Sequence, residues 1–388
     1  ILAFRPTLGL ILKHQSPAIA RIFPRFRREY DREVDLSAKN KKVHEDWGLD
    51  FSRFPQVNLC HQPTAIELMP RLTEFLGGPS IFIKRDDCTG LATGGNKTRK
   101  LEFLIGEALE QKADTVVTHG AVQSNHVRQT AAAACRFGLH CHALLERRVP
   151  DTDGNYEHTG NVFLNKLYGA KLEFRGPGLD MNAEAEMLCA RLTDEGRRPY
   201  FIPGGGSNEV GALGYAVCAQ EIVAQCRDLD VTFDYLVMGT GSSGTQAGLT
   251  AGFHGLDYDL PVVGISVRQP RERQIATVFD LAERTAATLG RPGLKRDKII
   301  VDDGYVGDGY GIPAASTLEA ISLAARLEGL LLDPIYSGKG FAGLIALARQ
   351  GFFQPNHKIL FLHTGGSAAL YAYEAELCEA MDKYALTD

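Results

Sequence analysis

Four absences narrow what this chain of 388 residues can be. No stretch approaches the roughly 18 consecutive apolar residues that a bilayer-spanning helix needs, so no membrane partner is expected. Positive charge is not in excess: 42 lysines and arginines face 47 acids, for a net charge of -5, which argues against a dedicated nucleic-acid surface. One or two local cations could still serve a small anionic substrate. The eight cysteines (60, 88, 135, 141, 189, 218, 226 and 378) show neither Cys-x-x-Cys spacing nor the density of a disulfide-stapled secreted chain. A reducing, cytoplasmic compartment is the simplest reading. Cys135 and Cys141, although close to His140 and His142, sit where a helix end meets an alternating strand and read as small buried hydrophobes, not metal ligands. Finally, residues 1–28 contain no Asp or Glu but carry Arg5, Lys13, Arg21, Arg25, Arg27 and Arg28. That start reads as a targeting-like segment, an extension wrapping the body, or an appendage, with 1–50 as N-terminal extension and the body beginning near Phe51.

What is present is a regular alternation. The length suits two domains. From residue 81 onward, β-rich runs at 81–84, 115–118, 142–145, 171–174, 200–202, 235–238, 262–267 and 359–362 alternate with helical patterns at 98–111, 125–137, 183–195, 211–225, 244–252, 316–328 and 338–349. Strands separated by helix-length segments predict an α/β fold with mostly parallel sheets and helices on both faces. Ligands of such folds sit at the C-terminal ends of the strands. Glycine and small polar clusters follow the strands at 120–125, 204–208, 239–245 and 364–367, which predicts several loops converging on one cleft.

Lys97 lies at a helix entrance after Gly94-Gly95-Asn96, where glycines let backbone approach a ligand closely. The run Gly239, Thr240, Gly241, Ser242, Ser243, Gly244 and Thr245 follows an apolar strand and opens a helix. Exposed N–H groups, the positive helix end and the hydroxyls suit a monophosphate. No Gly-Lys-Ser/Thr follows, so it is not a Walker loop. The next strand ends near Arg268 and Gln269 instead of a ribose-binding acid, which disfavours a nicotinamide cofactor. A phosphate cup and a lysine on another loop are the minimal needs of a pyridoxal phosphate enzyme, whose aldehyde forms an imine with the lysine. Ser124, Asn125 and His126 fall at the mouth of a helix, where Asn125 could bond a ring oxygen and Ser124 could help receive a carboxylate; each also suits a helix cap or a buried polar role. Tyr310 and Tyr336 stand in glycine-bearing segments as substrate-facing candidates, and Thr364 follows the last strand where a hydroxyl could meet the pyridine nitrogen. Lys339 reads as a residue that balances charge.

The segments 84–87, 94–103, 123–126, 205–208, 333–336 and 363–366 together resemble the tryptophan-synthase-β-like, fold type II pyridoxal phosphate enzymes. Within that family they resemble the branch holding 1-aminocyclopropane-1-carboxylate (ACC) deaminase, D-cysteine desulfhydrase and L-cysteate sulfo-lyase. The resemblance covers about 51–373 and implies two open, mostly parallel α/β domains with the cofactor in the cleft between them. A large cofactor-binding domain would comprise 51–98 and 208–388, and a small domain 99–207. It further implies a homodimer with Lys97 as the imine-forming lysine, Ser124 and Asn125 in the contact loop, 239–245 as the phosphate loop, Tyr310 and Tyr336 as active-site tyrosines, and Thr364 at the pyridine nitrogen. The branch's cyclopropane deaminases carry a glutamate where this chain has Ser337, which disfavours ring opening. The implied reaction is elimination from a small sulfur-containing amino acid: Lys97 takes the α-proton, the β-substituent leaves, and hydrolysis gives pyruvate and ammonia. The residues around 89–99 are closer to the L-cysteate version, with Thr89, Thr93, Ser337 and Arg268 as sulfonate donors and His126 near the substrate. D-cysteine with sulfide release is the alternative. No metal is expected.

Overall fold

A computed structural model of the protein describes residues 48–384 apart from Asp151 and Asp153. The expectations for the N-terminal extension therefore lie, up to residue 47, outside the described residues. In chain order the first half comprises β1 (Ile66–Leu68), α1 (Pro70–Leu76), β2 (Ser80–Lys84), α2 (Lys97–Glu110), β3 (Thr115–Ala121), α3 (Asn125–Arg136), β4 (His140–Glu146), α4 (Gly160–Leu167), β5 (Lys171–Arg175), α5 (Met181–Asp194) and β6 (Pro199–Ile202). It continues with α6 (Glu209–Asp228), β7 (Tyr235–Thr240), α7 (Gly244–Gly255), β8 (Val262–Ser266), α8 (Arg271–Thr288), β9 (Ile300–Asp302), α9 (Ala315–Glu328), α10 (Ser337–Arg349), β10 (Lys358–Leu362) and α11 (Glu374–Lys383).

The strands form two sheets, each the centre of an α/β domain. One runs β5-β4-β3-β6 and is wholly parallel; the other runs β1-β2-β10-β7-β8-β9, with only β1 antiparallel to its neighbour. The two-residue period of a strand explains how the larger sheet is covered on both sides. On β10, Ile359 and Phe361 pack with α9 and α10 residues such as Leu323, Phe341 and Ile345, while Leu360 and Leu362 face the opposite cluster with Tyr215, Ile222 and Phe253 of α6 and α7. Helices α6 and α7 approach closely because Gly248 has no side chain: a Cβ there would lie 2.2 Å from the Ala212 carbonyl oxygen. In the smaller sheet Val116 packs toward α2 and α3, and Val117 toward α5. All eight expected strands are present. The additions β1 and β9 are three residues long, too short to show a period. Among the described residues no helix is long and apolar enough to cross a membrane.

Candidate active site

The C-terminal ends of β3, β7 and β8 and the loops after β4, β6 and β10 surround one cavity of about 170 Å³. Lys97, the first residue of α2, stands in its wall. The chain approaches it under strain: Ala92 and Thr93 have φ of 51° and 67°, positive values that non-glycine residues rarely adopt. Gly94 is obligatory, because a Cβ there would come within 1.8 Å of the Asp87 carbonyl oxygen. The Thr89 hydroxyl donates to Gly95 O (2.9 Å), and Asn96 N–H donates to Thr364 O (3.1 Å). The lysine backbone is therefore fixed, yet its amine has no hydrogen-bond or ion-pair partner among the described residues. Burial pulls its pKa down from 10.5 to about 8, Asp333 opposing and Arg128 adding to the shift.

An anion cradle faces it. Among the described residues, the N–H groups of Gly241, Ser242 and Ser243 donate to no backbone carbonyl, and Ser243 holds φ of 73° at the entrance of α7. Asn96 Nδ2 donates to Thr245 Oγ1 at 2.9 Å, tying the lysine loop to this one. Lys100, one helical turn after Lys97, is buried with its amine 3.1 Å from Gly205 O and 3.3 Å from Ser207 Oγ. A Cβ on Gly244 would stand 2.8 Å from that amine, so glycine leaves the approach open. Burial and then the neighbouring Lys97 hold Lys100 well below its usual pKa. The loop N–H groups, the hydroxyls and the Lys100 amine together suit an anion.

Ser124 caps α3, accepting from Val127 N–H at 3.3 Å. Asn125 donates to Asp333 Oδ2 (2.8 Å) and accepts at Oδ1 from Arg128 (2.7 Å) and Asn161 (3.1 Å), keeping one amide N–H for the cavity. Arg128 also holds Gly94 O at 2.9 Å. His126 has a defined tautomer. The Thr118 hydroxyl spends its proton on Ile202 O (2.8 Å), so His126 Nε2 must donate to Thr118 (2.8 Å), leaving Nδ1 as a buried acceptor without a partner. Burial, then Lys97 and Lys100, keep this ring neutral, well below its usual pKa.

Beside the 239–241 loop the Tyr310 and Tyr336 hydroxyls lie 2.5 Å apart, and the two rings meet edge to face. Burial raises both phenols above their usual pKa. Arg148 stands over the Tyr310 ring at 5.4 Å, anchored by Glu146, and Arg268 lines the same side. Thr364 completes the wall.

Thus Lys97, Ser124, Asn125, His126, Gly239, Thr240, Gly241, Ser242, Ser243, Thr245, Tyr310, Tyr336 and Thr364 all line one cavity, with Gly244 just behind. Two expected substrate contacts are placed elsewhere. Thr93 is exposed outside the cavity, because the left-handed turn swings it to the surface. The Ser337 hydroxyl is turned inward, accepting from Asp333 N–H (2.7 Å) and donating to Asp333 Oδ1 (3.0 Å). Thr89 is likewise consumed by the lysine loop, so of the four proposed sulfonate donors only Arg268 faces the cavity. Sequence reasoning missed Lys100, Asn96, His119 and Arg148. Lys100 was findable, since residues three apart on a helix share a face. Arg148 follows a parallel strand at the edge where ligands gather. Asn96 stood in the segment 94–103 without a role of its own, and nothing in the sequence pointed to His119, which also lines the cavity.

Comparison with known proteins agrees with this geometry. The family model for "Pyridoxal-phosphate dependent enzyme" matches residues 57–365. A solved ACC deaminase homologue is 37% identical, with a TM-score of 0.77 over 85% of this chain and 97% of its own. An O-ureido-L-serine synthase (18% identity, TM-score 0.58, 80% of this chain and 92% of its own) shares the fold. So does a threonine deaminase from T.th. (18%, 0.56, 78% and 92%). A lysine free of partners, an anion cradle across from it and a match spanning both sheets lead to one assignment: the chain belongs to the family of pyridoxal-phosphate dependent enzymes, in their second fold type.

Proposed function

We propose that the protein eliminates a sulfur leaving group from the β-carbon of a three-carbon amino acid, releasing pyruvate and ammonia, and works as a homodimer. The observation that carries this reading is the unpartnered Lys97 in a cavity whose wall holds hydroxyls, amides and cations but no Asp or Glu. The site fits the cofactor: three free loop N–H groups and the Lys100 amine would hold its phosphate, Asn125 its ring oxygen, and Thr364 its pyridine nitrogen. Pyridoxal phosphate, when bound, supplies an aldehyde that captures amines and a ring that withdraws electrons from the α-carbon. Ser124 and the N-terminal N–H groups of α3 are suited to the substrate carboxylate. Lys97 Nζ, titrating near pH 8, is suited to removing the α-proton, and the tyrosine pair to handing a proton onward. Ring opening of the cyclopropane acid is disfavoured, because Ser337 replaces the branch's glutamate and its hydroxyl is already engaged by Asp333.

Two leaving groups share this site. Sulfide from D-cysteine comes first, supported by the likeness to the ACC deaminase homologue and by the placement of Thr89, Thr93 and Ser337 away from the cavity. Sulfite from L-cysteate is the second reading, favoured by one observation: Arg148 and Arg268 lie side by side on the wall, where a sulfonate would relieve their repulsion. A side-by-side assay of D-cysteine, L-cysteine, L-cysteate and the cyclopropane acid, reading pyruvate with sulfide or sulfite, decides between them. Sulfite from L-cysteate far exceeding sulfide from D-cysteine would reverse the order. No pyruvate from any of the sulfur substrates would sink the elimination itself. Light scattering at working concentration tests the dimer.

A further inference from the structure

Lys339, in the first turn of α10, is wholly buried but does not line the cavity. Its ammonium donates to the backbone oxygens of Val306 and Gly309, the latter at 2.6 Å, and forms no ion pair among the described residues. This is a costly place for a cation. It is dehydrated, it sits near the positive end of a helix, and its acceptors are neutral. Its charge serves the loop it meets, through the two carbonyls it bonds and the nearby Asp308, whose attraction partly offsets the cost of burial.

Those carbonyls belong to the loop that presents Tyr310. Gly307, Gly309 and Gly311 have φ of 65°, 150° and 76°, conformations in which glycine leaves the backbone little intrinsic stiffness. The loop's own backbone hydrogen bonds are long: Val306 N–H to Asp303 O and Ile312 N–H to Gly309 O, both 3.4 Å. Around Tyr310 its shape is held from outside by Lys339 and by the Tyr373 hydroxyl, which donates to Gly311 O at 2.8 Å, while Arg271 N–H donates to Asp303 Oδ2 at 2.8 Å at the loop's start. Lys339 is also three residues from Tyr336, the N-cap of α10, whose carbonyl oxygen would be 2.6 Å from a Cβ on Gly239 at the end of β7. One rigid helical turn therefore carries one tyrosine and grips the loop that carries the other.

We propose that Lys339 is a positioning residue that holds Tyr310 against Tyr336, acting on the reaction only through that pair. Charge-assisted bonds to two carbonyls of one loop fix it more tightly than neutral contacts could. Losing them frees Tyr310 to drift from its 2.5 Å contact.

Two measurements test this. The first needs no turnover: chymotrypsin should cut Lys339→Met at Tyr310 at least about tenfold faster than the wild type, while global unfolding moves little. The second is a double-mutant cycle on the holoenzyme. Lys339→Met and Tyr310→Phe should each lower kcat about ten- to a hundredfold with KM little changed, and the double variant should be no slower than the slower single one. Added ammonium should partly restore kcat to Lys339→Ala. Multiplying losses in the double variant, or unchanged cleavage at Tyr310, would overturn the proposal. Should Lys339→Met fail to fold, Lys339→Arg and the ammonium titration carry the same decision. Wild-type protein that cleaves normally at the loop yet turns over no sulfur amino acid would count against the elimination reading and leave the cleavage test to judge Lys339.

Discussion

Two cations two residues apart on the same helix have opposite fates. Arg99 is enclosed by acceptors: it makes paired bonds to Asp86 (2.8 and 2.9 Å) and to Glu221 (3.0 and 2.9 Å), and adds Thr64 and Gln62 at 3.1 Å. Lys84 joins Glu221, Thr64 O and Gln225, and Tyr215 donates to Asp86, so two cations and two anions balance within a closed network. Burial alone would raise Glu221, but Arg99 and Lys84 hold it at about 2. Lys97 has no such partners among the described residues, and the acid whose field reaches it, Asp333, is shared with Asn125, Ser337 and two backbone N–H groups. On the proposed function, the difference separates a charge that holds the fold from a charge kept for chemistry. Structure satisfies the first completely and leaves the second short of bonds, ready to lose its proton.

Each side of that contrast can be broken alone. Lys97→Ala should cost the largest effect, about a 10³- to 10⁴-fold loss of pyruvate formation, with urea unfolding unchanged or slightly shifted to higher stability. A folded variant that keeps activity would refute the role given to Lys97. Arg99→Met should do the reverse: removing one member of a buried network costs about 3–5 kcal/mol of stability, read from the urea midpoint, because Asp86 and Glu221 are left without their neutraliser. Activity per folded molecule should fall far less than in Lys97→Ala. Asp333→Asn sharpens the electrostatic side. Asp333 favours the Lys97 ammonium, so its neutral replacement should move the pH midpoint for reaction of Lys97 with an aldehyde below about 8, whereas Arg128→Gln should move it up. An upward shift in Asp333→Asn would contradict the assignment. A further effect is on stability against pH. The unfolded lysine keeps its proton to about 10.5 and the native one releases it at about 8, so in that window the native state binds fewer protons and Lys97 makes stability rise with pH. Lys97→Ala should flatten that rise in unfolding curves taken between pH 7 and pH 10.

How much of this was legible in the sequence follows from the range of each interaction. Alternating β and α patterns are local, so every long strand was readable, and the strand-end rule placed the cleft. Lys97 and the loop at 239–245 were readable because glycine spacing and small residues encode backbone shape directly. Ser337 and Thr93 are placed away from the cavity by local geometry that residue type alone does not announce: the Ser337 hydroxyl turns inward to a carboxylate four residues away, and a left-handed turn carries Thr93 to the surface. Arg148, 51 residues from Lys97, and the grip of Lys339 on a loop about 30 residues upstream depend on contacts that no local pattern announces.

The unpaired amine of Lys97, and not one of its buried neighbours, is expected to carry the cofactor. Protein loaded with pyridoxal phosphate, reduced with borohydride, digested and sequenced by mass spectrometry should carry the phosphopyridoxyl mass on Lys97 with loss of the visible absorbance. The same mass on Lys100 or Lys339, or a colourless protein with no adduct, would contradict it.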